Sequence, residues 1–121
     1  MRKLMALLLF ASPIPALADH YDVIEFKLKE GCSFESYMAI VKDFNVWGKG
    51  YGYQAEVAVK LQHNDPSTMI WLGRSANAAT FGKAWDTWRN AQANADSVPA
   101  RLNARFDSCS STVGRRSYDV Y

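Results

Sequence analysis

The 121 residues carry 14 Lys and Arg against 12 Asp and Glu, with two Cys, two His and 49% apolar side chains. A near-neutral balance with no basic cluster beyond Arg115-Arg116 argues against nucleic acid and anionic membranes as partners. So few cysteines and histidines cannot build the usual zinc sites, and neither a metal nor a cofactor is expected.

In chain order, Arg2 and Lys3 form a basic start, Leu4–Phe10 an apolar run, and Ala16-Leu17-Ala18 the small residues that a signal peptidase reads. The run is too short to span a bilayer as a mature helix, and Pro13 and Pro15 break it. Residues 1–18 therefore read as a signal peptide. Cleavage after Ala18 gives an exported, periplasmic or secreted chain with no membrane span, and residues 19–121 suffice for one domain. Without Arg2 and Lys3 the remaining basic and acidic side chains are equal in number.

Tyr21–Lys29 alternates, with Ile24, Phe26 and Leu28 on one face and Glu25, Lys27 and Lys29 on the other, which is a half-buried strand. Ser33 can cap a helix with Glu35 in its first turn. Tyr37, Ile40, Val41, Phe44 and Trp47 follow at helical spacing, and Gly48 is the expected left-handed terminator. Tyr53–Gln62 alternates fully. The turn formers from His63 to Ser67 lead into an apolar third strand at Thr68–Gly73, with Arg74 and Ser75 in the turn that follows. A second helix, ending near Asn90, carries Phe81, Trp85 and Trp88 on one stripe. Pro99 starts a short helical turn with Leu102 and Phe106; Ser108–Gly114 reads as loop and Ser117–Tyr121 as the last strand.

Strand, helix, hairpin, helix, strand is a split βαβ order. It predicts an α+β, ferredoxin-like βαββαβ fold, a four-stranded antiparallel sheet with both helices on one face. The third strand is apolar on both faces, so one row would lie exposed in a monomer. Closing two sheets face to face covers it, and a homodimer is expected.

The element order, the length, the aromatic stripe of the second helix and the mixed open sheet face together resemble the dimeric α+β barrel superfamily. Gly31-Cys32-Ser33 after the first strand, with Trp71-Leu72-Gly73 and Ala84-Trp85-Asp86-Thr87-Trp88 later, is similar to small secreted bacterial members with no assigned activity. The superfamily includes cofactor-independent monooxygenases, haem-degrading enzymes, isomerases and members without known catalysis. The haem-degrading members rely on a helix-borne His ligand, and neither main helix here contains histidine.

Trp47, Trp71, Trp85 and Trp88 are the candidate ligand contacts, although an aromatic helix stripe reads first as core. Glu25 and Glu56 share the polar sheet face with Lys27 and Lys60; paired carboxylates there could do acid/base work, and ion pairing is the plainer reading. His63 sits in a turn, where a solvated polar residue is the ordinary finding. No catalytic residue set can be named. Cys32 lies just past the first strand and Cys109 just ahead of the last, and these two strands pair antiparallel in the expected order. A Cys32–Cys109 disulfide follows, in keeping with export. The functional expectation is an exported protein that binds a small apolar or aromatic molecule, or a partner, without catalysis. The rival is a cofactor-independent monooxygenase or isomerase acting on such a molecule.

Overall fold

The structure is a computed structural model, and it describes residues 18–121; the signal peptide expected at 1–18 lies outside the described residues, save Ala18. Seven elements follow in order: β1 (Asp19–Leu28), α1 (Phe34–Lys49), β2 (Gln54–Val59), β3 (Met69–Ser75), α2 (Ala78–Ala91), α3 (Val98–Cys109) and β4 (Ser110–Val120). The strands form one sheet in the order β2-β3-β1-β4, and each neighbouring pair is antiparallel. This is the expected ferredoxin-like architecture.

Local chemistry sets the helix starts. Ser33, Asn77 and Ser97 each cap a helix by accepting a bond from a backbone N–H three residues on, with Pro99 in the first turn of α3. Gly48 is not the terminator. It stays inside α1, where a Cβ would stand 2.3 Å from the Tyr53 carbonyl oxygen, and the positive φ of the following turn falls on Gly52 at 68°.

Four other boundaries differ from expectation, the first being β2, which stops at Val59, short of the expected Gln62. Arg74 and Ser75 continue β3, opposite Tyr21 and His20 of β1. The turn at Pro99 is a helix of 12 residues. The stretch expected as loop from Ser108 is the end of α3 and the first half of β4, which pairs with β1 from Ser110 onward with one bulge, at Val113. An edge strand has a single partner, so its polar Ser and Thr residues meet water instead of breaking the ladder.

Residues of one strand parity, among them Phe26, Ala55 and Trp71, pack under the helices. Phe44 of α1 is the hub. Its ring meets Trp71 at 5.0 Å, Tyr53 and Trp88 at 5.4 Å and Trp47 at 5.6 Å, mostly edge to face, the arrangement that ring quadrupoles favour. The opposite parity, including Val23, Glu25, Ile70 and Leu72, forms a face that no helix covers.

Candidate functional site

A cavity of about 460 Å³ lies between the sheet and the helices, large enough for a small organic molecule. Trp47 of α1, Trp71 of β3, and Trp85 and Trp88 of α2 all line it, so the structure brings the four predicted tryptophans together. Trp71 is only 5% exposed and belongs to the core, whereas Trp47, Trp85 and Trp88 are half-buried wall residues. Phe81 adds a further ring to the wall.

One wall is polar. Asp22, 1% exposed, accepts a bidentate pair of bonds from Arg115, from Nε at 2.8 Å and from Nη2 at 2.6 Å. The Tyr53 hydroxyl donates to Asp22 Oδ2 at 2.9 Å and accepts from the Trp71 indole N–H at 2.7 Å. Gly73 makes this possible, because a Cβ there would lie 1.8 Å from the Tyr53 hydroxyl oxygen. Burial, and then the Asp22 carboxylate, push the Tyr53 phenol well above its ordinary range. The Arg115 guanidinium lies 4.1 Å from the centre of the Trp85 ring, within cation–π reach. That contact clasps edge strand β4 to α2 beside the cavity. Charge is balanced at this wall; elsewhere the lining mixes the aromatic rings with polar groups, among them Lys29, Asn103 and Thr112.

The remaining predicted residues lie elsewhere. Glu25 is on the uncovered sheet face and does not meet Glu56; it accepts from Lys60 Nζ at 2.7 Å and from Thr68 Oγ1 at 2.6 Å. These bonds, with Lys60 first, hold the Glu25 carboxyl below its usual range. Glu56 is exposed on β2, beside Leu72 of β3. His63 is exposed, and its Nδ1 accepts a turn bond from the Asp65 N–H at 2.9 Å. No group of three or more His, Cys, Asp or Glu among the described residues could hold a metal ion. Cys32 and Cys109 form the expected disulfide, with Cα atoms 5.2 Å apart.

Asp22, Tyr53 and Arg115 were not singled out from sequence, and Phe81 only as part of the helix stripe. Asp22 had a signal: it shares strand parity with Ile24 and Phe26, and a carboxylate on an apolar face needs a partner. Arg115 had none, since it falls between the expected loop Ser108–Gly114 and the expected strand Ser117–Tyr121, and no face could be assigned.

No protein-family model matches the chain, and no curated protein matches it in sequence. Solved structures do. SnoaB, a cofactor-independent oxygenase from Streptomyces nogalater, superposes with a TM-score of 0.56 at 8% identity over 86% of this chain and 94% of that one. The hydroxynitrile lyase of Passiflora edulis gives 0.55 at 16% identity over 88% and 96%. A conserved protein of unknown function from Bacteroides thetaiotaomicron VPI-5482 gives 0.55 at 6% identity over 86% and 99%. At such identities the likeness is one of fold: the chain shares the ferredoxin-like α+β architecture expected from its sequence.

Proposed function

We propose that this is an exported, homodimeric protein that binds one small apolar or aromatic molecule per chain, between sheet and helices, without transforming it. The observation that carries the reading is the cavity of about 460 Å³ walled by Trp47, Trp85, Trp88 and Phe81. Its one buried carboxylate is already held by Arg115 and Tyr53. The disulfide and the signal-like residues 1–18 support export.

Titration with naphthalene, followed by tryptophan emission, tests binding. A saturable change is expected, and it should be lost in Ala84→Leu, which fills the cavity from α2. A linear, unsaturable response, or the same response in the filled variant, would overturn the reading.

A second reading, a cofactor-independent oxygenase, lyase or isomerase, draws on the buried Asp22–Tyr53–Arg115 line, a set of polar groups converging on an apolar pocket. Oxygen uptake and mass spectrometry of incubated aromatic alcohols and ketones separate the two. Turnover that disappears in Asp22→Asn would favour the enzyme.

A further inference from the structure

His20, Ser75 and Asp119 stand abreast across three strands, with His20 of β1 opposite Ser75 of β3 on one side and Asp119 of β4 on the other. His20 is 8% exposed and Ser75 2%. His20 Nδ1 lies 2.8 Å from Asp119 Oδ1. An ionised carboxylate can only accept, so Nδ1 carries a proton, and in that tautomer Nε2 is a lone pair. The two ring nitrogens point in nearly opposite directions. With Nδ1 held toward β4, Nε2 is directed away from that strand. Nε2 and Ser75 Oγ are both buried without a hydrogen-bond partner, an uncommon condition because each loses its hydration without replacement. The His20 ring stacks on Phe81 at 4.7 Å, and Phe81 lines the aromatic cavity. The half-buried Phe81 ring thus touches both the cavity and the His20 imidazole.

We propose that this niche takes the hydroxyl group of the molecule whose ring occupies the cavity, which makes phenols and aromatic alcohols the ligand class. The proposal rests on the cavity being the ligand site. A hydroxyl satisfies both orphans with one oxygen: its hydrogen goes to Nε2, and its lone pair receives the Ser75 O–H. A carboxylate would set its charge against the Nε2 lone pair and the nearby Asp119. A purely apolar ring would leave both orphans as they are. Phe81 must turn aside to admit the hydroxyl. Water has the same donor and acceptor and is the rival occupant.

The chain has two histidines, so nitrogen-15 labelling of histidine gives a readable spectrum with exposed His63 as internal reference. The probes are 2-naphthol and naphthalene. Both are expected to bind by tryptophan emission, with 2-naphthol roughly tenfold tighter, the worth of one net hydrogen bond. Only 2-naphthol should move the His20 Nε2 resonance. His20→Phe and the near-isosteric Ser75→Ala should each cut the preference while naphthalene affinity holds. If His20→Phe fails to fold, the wild-type spectrum and Ser75→Ala still decide the matter. Equal affinities, or an Nε2 resonance unmoved by 2-naphthol, would mean a niche for water only and overturn the proposal. Failure of both probes to bind would instead remove the cavity reading, and the niche proposal with it.

Discussion

At Asp22 the molecule holds an ionic group almost wholly out of water, and Arg115 from a distant part of the chain makes that tolerable. Removing one partner of such a pair strands the other charge, which costs about 3–5 kcal/mol. Arg115→Ala is therefore expected to lower the unfolding free energy by that order in a urea titration. Adding Asp22→Asn should restore a good part of it; a double variant no better than the single would show that packing of Arg115 on Trp85 matters more than its charge. The tryptophans divide in the same way. Trp71→Ala empties the core and should cost roughly 3–5 kcal/mol. Trp85 was read from its helix stripe as core, yet it is a half-buried wall beneath Arg115. Trp85→Ala should cost clearly less in the same titration and weaken naphthalene binding more than any stability loss explains.

Glu25, Lys60 and Thr68 link β1 to the hairpin of β2 and β3 on the uncovered sheet face. Because the Lys60 and Thr68 bonds hold its carboxyl below the ordinary glutamate range, Glu25 contributes stability at pH above that range and loses it as pH falls through the depressed folded pKa. Lys60→Met should move the Glu25 midpoint upward in a carboxyl NMR titration; an unmoved midpoint would deny Lys60 the leading role. The Cys32–Cys109 bridge closes a separation of 77 residues between the end of β1 and the start of β4, worth about 4 kcal/mol by loop-closure entropy. Unreduced protein should show no alkylatable thiol, and reduction should lower its denaturation midpoint accordingly. That pairing was legible because strand order alone brings the two positions to one sheet edge. The bridging polar contacts were not legible, since Glu25 meeting Lys60 and not Glu56 depends on register, which alternation leaves open. The first half of β4 was hidden for a related reason: Ser110, Ser111, Thr112 and Gly114 carry no apolar period, and only pairing with β1 makes them a strand.

For the molecule as a whole, the proposed homodimer is expected to close through the uncovered sheet face. Val23, Ala58, Ile70 and Leu72 form an apolar patch across β1, β2 and β3 on that face, and none of the three helices reaches it. Ion pairs stand around it, Asp19 with Arg74 at 2.6 Å and Glu25 with Lys60 at 2.7 Å, each satisfied within one copy. A face of this composition can meet its own twofold image with apolar centre on apolar centre, leaving the charges paired at the rim. Light scattering at micromolar concentration is expected to give twice the chain mass. Ile70→Glu places a charge at the centre of the contact, where pairing with its twofold image would desolvate it without a partner. It should yield a monomer with an unchanged far-ultraviolet circular dichroism spectrum, because the β3 residues that face the helices, Trp71 and Gly73 among them, are untouched. Protein purified from its native compartment should also begin at Asp19 by intact mass. A wild type that stays monomeric on concentration would refute the face-to-face assembly, and an Ile70→Glu variant that remains dimeric would move the contact to another surface.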